Sequence, residues 1–135
     1  ESVDAERIGR EGDRLSVGCE LIAARSDWDE ADSMVAETRV AVAAYGLGAL
    51  HAHADRLEGR ASLAGGDTTG GLALLSGARE RFEALGDHWE AARTAIDIAA
   101  AGGQVDHERL AGFLQGLGAI DEIQRLMIIV DPLIT

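Results

Sequence analysis

The sequence contains no lysine and no asparagine, a single cysteine, a single proline and few aromatic side chains. Each shortage closes off a class of chemistry. Without lysine the chain supplies no Walker-A phosphate lysine, no Schiff-base lysine and no attachment point for pyridoxal phosphate. A lone Cys19 makes neither an internal disulfide nor a zinc site of several thiolates; its ordinary role is a small buried apolar residue in a reducing, cytoplasmic setting. Positive charge is scarce too, with 12 arginines against 24 carboxylates and a formal net charge of -12, so the chain repels phosphate backbones and no nucleic-acid partner is expected. No run approaches the ~20 apolar residues of a membrane span, and the start lacks a basic-then-apolar signal pattern, so no membrane partner is expected.

What the chain does have is aliphatic and small. Hydrophobic residues make up 47% of 135 positions while aromatics make up 4%, enough to build one aliphatic core in a single domain spanning 1–135. The chain opens on Glu1 instead of Met, so a fragment of a longer protein is expected.

Helical spacing dominates that hydrophobic content. Trp28, Ala31, Val35, Thr38, Val42 and Tyr45 recur at three- and four-residue steps, which puts them on one helical stripe. Leu50, Ala54, Leu57, Ala61 and Ala64 repeat the pattern, as do Leu72, Leu75, Ala78, Phe82 and Leu85. So do Trp89, Ala92, Ile96 and Ala99, and Ile120, Ile123, Met127 and Val130. No strand-like alternation is sustained. Carboxylates at Asp27 and Asp87, each followed three residues later by Glu, have the spacing of helix N-caps, and Gly46, Gly65-Gly66, Gly86 and Gly102-Gly103 supply residues able to end a helix. The spacing predicts helices over 4–24, 28–45, 48–64, 69–85, 88–101, 107–116 and 119–130. The expected class is all-α, built of antiparallel hairpins.

An internal register runs through these helices. Cys19, Asp27, Ala31, Val35 and Thr38 return 40 positions later as Gly59, Asp67, Gly71, Leu75 and Ala78. A third copy, 39 positions further on, reads Ile98, Asp106, Leu110, Leu114 and Leu117. A unit of this size cannot bury its apolar stripe alone, so neighbouring units must stack. The run from Gly59 to Asp67, followed by Gly71, Leu75 and Ala78, resembles the tetratricopeptide (TPR) helical hairpin. The stretch Ala78 to Arg93 is similar to repeats in the helical regions of large bacterial multidomain regulators, in which an ATPase module is joined to a LuxR-type or nucleotide cyclase output. The resemblance implies a TPR-like α-solenoid of about seven helices. It departs from the family in its 40-residue interval, against about 34 for the standard repeat, and in having no proline at the ends of the second helices. Other α-solenoids and an irregular helical bundle satisfy the same periodicity.

Few residues have the spacing of a reactive site. His51 shares a helix face with Asp55 but not with His53, which makes a metal site there weak. The acids at Asp27, Asp29, Glu30 and Asp32 lack the glycine an EF-hand loop needs at Asp32. Gly66 to Gly71 has the glycine content of a phosphate loop, but Leu72 stands where the lysine belongs. No catalytic residue, metal or cofactor is expected, and the chain is not expected to be an enzyme.

Surfaces are the better candidates. His53, Arg56 and Arg60 follow one another at helical steps on a side expected to face outward, and Arg93 lies 40 positions after His53. Such a stripe suits carboxylates of a protein or peptide partner, or of a neighbouring domain of the parent chain. The alternative is that these arginines pair with Glu58, Glu90 and Asp97 on a solvated face. Leu126 to Val130 is apolar all round, which makes Leu126, Ile128 and Ile129 candidates for an oligomer or docking contact. Two functions follow: a non-catalytic interaction or signal-transmitting module of a bacterial regulator, or a homo-oligomerisation module using the last helix. A small-molecule sensor is a third, less specified, alternative.

Overall fold

The computed structural model describes residues 2–130; Glu1 and residues 131–135, Pro132 among them, lie outside the described residues. Within that range the chain is all-α, with seven helices: α1 (Ser2–Ala24), α2 (Trp28–Tyr45), α3 (Gly48–Ala64), α4 (Thr68–Ala84), α5 (His88–Ala100), α6 (His107–Leu117) and α7 (Ile120–Val130). The bounds follow the sequence spacing to within two residues at each end, because local chemistry sets them.

Three of the connections share one construction. At Ser26, Gly66 and Gly86 the backbone enters the left-handed region, with φ of 52°, 94° and 77°. The amide of the following aspartate then donates five residues back: Asp27 to the Ile22 carbonyl at 3.0 Å, Asp67 to Ser62 at 2.8 Å and Asp87 to Phe82 at 2.9 Å. This closes the first helix with a Schellman-type bond, and the same aspartate opens the next. The Asp67 and Asp87 carboxylates accept from the amides of Gly70 (2.9 Å) and Glu90 (3.1 Å), and Asp106 accepts from Arg109 at 3.1 Å. Asp27 occupies the cap position but its side chain accepts no capping bond, which departs from the expected pattern. Ser26 also holds a conformation that its counterpart Gly66 adopts without a Cβ penalty.

Packing joins these units in series. Cys19 and Ala23 of α1, Ala31 and Val35 of α2 and Leu57 of α3 form one buried cluster. Ala52 of α3, Ala78 and Phe82 of α4 and Ala91 of α5 form a second, and Ala92, Ala95 and Ile96 of α5 with Leu110, Leu114 and Leu126 a third. Helix α1 packs on α3 as well as on α2, and α5 packs on α7 as well as on α4. The tightest approach joins α3 to α4, where a Cβ built on Gly71 would lie 2.9 Å from the Gly59 carbonyl oxygen and 2.7 Å from Leu63 Cγ. Glycine at both register positions is what lets these backbones meet.

The structure departs from the expected stripes at helix ends, where Tyr45, Leu85 and Trp89 are exposed, and in α6 and α7. Leu117, last of the third register copy, is exposed because α6 ends there at Gly118. In α7 the buried positions are Leu126 with Ile123 and Ile129 packed beside it, while Ile120, Met127 and Val130 face outward. A helix apolar on every side gives periodicity nothing to choose between, and contact with α5 and α6 decides the face.

Candidate interaction surface

The arginine stripe turns inward. Arg56 is 5% exposed and lies at the centre of a charge cluster shared by α1, α3 and α5, so the outward face expected for His53, Arg56 and Arg60 is corrected for His53 and Arg56, while Arg60 stays partly exposed. Its Nη1 donates to Glu90 Oε1 at 3.0 Å and to Thr94 Oγ1 at 3.2 Å, and its Nη2 donates to Glu20 Oε1. The guanidinium also stacks over Phe82, 5.0 Å from the ring centroid. Arg93 completes the ring, donating to Glu90 Oε1 at 2.9 Å and to Glu20 Oε2 at 3.3 Å. Two arginines and two carboxylates therefore neutralise one another, and Phe82 supplies an apolar, polarisable floor.

His53 is the fifth member. Its Nδ1 lies 3.4 Å from Arg56 Nη2 and 3.7 Å from Glu20 Oε1, and its ring meets Phe82 edge-on at 5.1 Å. A guanidinium has no acceptor, so toward Arg56 the Nδ1 lone pair accepts and the ring is neutral. Burial lowers the His53 pKa, and the Arg56 charge lowers it further against the pull of Glu90, Glu20 and Asp87. Burial pushes the Glu20 carboxyl up, but the Arg56 and Arg93 charges outweigh it and hold the group below its ordinary value.

The sign of the resulting pH dependence follows from where protons bind. Unfolded chain takes up a proton on His53 near pH 6.5 and on Glu20 near about 4.3, whereas the folded chain takes up each only at lower pH. The unfolded state thus binds more protons in both intervals, and stability falls as pH drops through them. Thermal unfolding of the wild type should show a first loss beginning near about pH 6.5 and a second below about pH 4.3. His53→Gln should remove the first and leave the second; identical profiles for variant and wild type between neutral and mildly acidic pH would sink this account of His53.

A second clasp lies between α2, α3 and α4. Arg39 Nη2 donates to Asp55 Oδ1 at 3.0 Å and to Glu58 Oε1 at 2.9 Å, while Arg81 Nε donates to Asp55 Oδ2 at 3.2 Å. His51 Nε2 is 3.6 Å from Asp55 Oδ1. The His51 and Asp55 pair is therefore part of an ion-pair cluster, and among the described residues no group of three or more His, Cys, Asp or Glu is arranged to hold a metal ion.

The remaining candidates separate. Of the pairs anticipated on a solvated face, Glu90 does take Arg56 and Arg93, whereas Glu58 takes Arg39 and Asp97 takes Arg125 at 3.2 Å. Arg60 has no carboxylate partner within 4.0 Å among the described residues; its guanidinium sits 6.0 Å from the Trp28 ring centroid, beside an open groove that Asp97 and Arg125 also border. Leu126 is 2% exposed and Ile129 packs beside it, so both belong to the chain's own core; only Ile128 of the three presents its side chain, alongside Met127. Glu20 was not visible as a member of the site, since it lies on α1, 36 positions before Arg56. The one sequence signal for it is its place 40 positions before Arg60.

No helix of the described residues is long and apolar enough to cross a membrane. Set against family models, curated proteins and solved structures, the chain has no significant match in any of the three.

Proposed function

We propose that the chain is a TPR-like repeat module, non-catalytic, that holds a protein partner or a neighbouring domain of a cytoplasmic bacterial regulator. The observation that carries this reading is the stacking itself. Hairpins related by a register of about 40 residues bury one another in series, and α1, α3 and α5 are tied side by side through Glu20, Arg56, Glu90 and Arg93. A stack of that kind spends its buried charges on fixing the relative positions of its units, and leaves the outer faces of successive hairpins as one extended surface. Function in such a scaffold is recognition: a shape held rigid, with specificity carried by side chains such as Arg60 that have no internal acid partner.

The competing reading is self-association through α7, favoured by the outward apolar residues Ile120, Met127, Ile128 and Val130. Solution mass across a dilution series separates the two. The module reading expects 14.2 kDa at every concentration, unchanged in the variant Met127→Glu with Ile128→Glu. A dimer that persists on dilution and is broken by those two substitutions would replace it with the oligomer. Ile129 is left out of the test because its side chain packs internally.

A further inference from the structure

The unit formed by α4, α5 and α6 is built like the one before it with its acids removed. In the earlier unit Arg39 projects from α2 onto Asp55 and Glu58 of α3. Forty residues on, Arg79 projects from α4, but the matching positions are Ala95 and Ile98, which border the spaces beside Arg79. His51 of the earlier cluster is likewise matched by Ala91. The arginine has been kept and its carboxylates have not.

The result is an open groove of about 450 Å³. Its floor is Ala91, Ala92 and Ala95, and Leu110 and Phe113 form the apolar side of α6. Arg79 stands on one wall and Arg109 on the other, and neither has a carboxylate within 4.0 Å among the described residues, in a chain with twice as many acids as bases. Glu83, at one end, is engaged by His88 at 3.0 Å, and Asp106, which also borders the groove, caps α6. The groove is wide because α5 and α6 are joined by residues 101–106 instead of a three-residue turn, so α6 leans only lightly on α5.

We infer that this groove takes an acidic amphipathic helix of a partner protein, its apolar stripe on the alanine floor and its carboxylates on Arg79 and Arg109. This rests on the interaction-module reading and names the surface and the chemistry. Small floor residues leave room for large apolar side chains, and guanidiniums on opposite walls ask for acids on both flanks of that stripe. An extended segment fits less well, since its alternate side chains point away from the floor and not toward the walls.

The probe is a fluorescein-labelled helical peptide of about 18 residues made of Leu, Ala and Glu, with Leu at i, i+4 and i+7 and Glu on both flanks. Anisotropy should show saturable binding at low salt despite the protein's own negative charge, weakening as salt is raised. Arg79→Glu with Arg109→Glu should weaken it by at least about tenfold, Phe113→Ala should also weaken it, and Arg10→Glu on α1 should not. All three sets keep internal ion pairs intact, and circular dichroism verifies their folding. Absence of saturable binding up to about 1 mM would overturn the inference, as would binding that survives reversal of both arginines. Saturable binding of decanoate in the groove without peptide binding would assign it to a small amphipathic anion instead. A negative result here leaves the module reading to the mass measurement, and a persistent dimer there leaves the groove to this one.

Discussion

Arg56→Met lowers the free energy of unfolding by about 3 kcal/mol, the largest loss expected from any single polar side chain of this protein. The guanidinium is nearly fully buried and satisfies Glu20, Glu90 and Thr94 together, so its removal leaves two carboxylates that face α3 to share Arg93 alone. Breaking a buried ion pair costs about 3–5 kcal/mol, and the lower figure applies because the Glu20 side chain is about one-third exposed and regains some hydration. Loss of the stacking on Phe82 adds a smaller amount. Urea unfolding measures the effect, and a double variant that also carries Glu20→Gln, leaving Glu90 paired with Arg93, should recover much of it, because what destabilises is the unpaired charge. Stability of Arg56→Met within about 0.5 kcal/mol of wild type would show that the cluster is solvated.

Gly71→Val is expected to cost about as much, for a steric reason. Any Cβ at this position meets Leu63 Cγ at 2.7 Å and the Gly59 carbonyl oxygen at 2.9 Å. Leu63 has rotamers to move into; the Gly59 backbone, inside a helix, does not. Helices α3 and α4 must separate, and overpacking of this kind costs about 1–3 kcal/mol, with the branched residue at the upper end. Gly71→Ala recovers about 1 kcal/mol of helix propensity and so should lose less. In thermal unfolding the valine variant should melt about 10 °C below wild type and the alanine variant in between. A valine variant with unchanged melting temperature would mean that the two helices are not held at this distance.

These two residues mark the boundary of what the sequence reveals. Helix bounds were legible because their causes are local: Asp67, Asp87 and Asp106 cap from within three residues, and Gly66 and Gly86 end helices through their own backbone conformation. Gly59 and Gly71 were legible as register partners for the same reason, a spacing repeated along the chain. The inward turn of Arg56 was not, because it depends on Glu20 of α1 and Glu90 of α5, each more than 30 positions away. Arginine on an apolar-poor face reads as solvated unless its distant acids are known. Arg60, four positions on, has the same character in sequence and stays without an acid partner, and only the third dimension separates them. The face of α7 failed differently: with Leu126 to Val130 all apolar, any stripe fits, and the choice of Leu126 over Met127 is made by α5 and α6.

The light seating of α6 on α5 has a mechanical meaning. From α1 to α5 the helices are locked by buried ion pairs reaching across three hairpins and by the close contact at Gly59 and Gly71, whereas past residue 101 the chain is held to that body mainly through apolar side chains of α5, α6 and α7. Tension applied along the chain therefore meets two springs in series of unequal stiffness, and the softer one lies toward α7. A load arriving from that side peels α6 and α7 away first, leaves the charged clasp intact, and bares Ile96 of α5, a side chain that the resting molecule keeps covered.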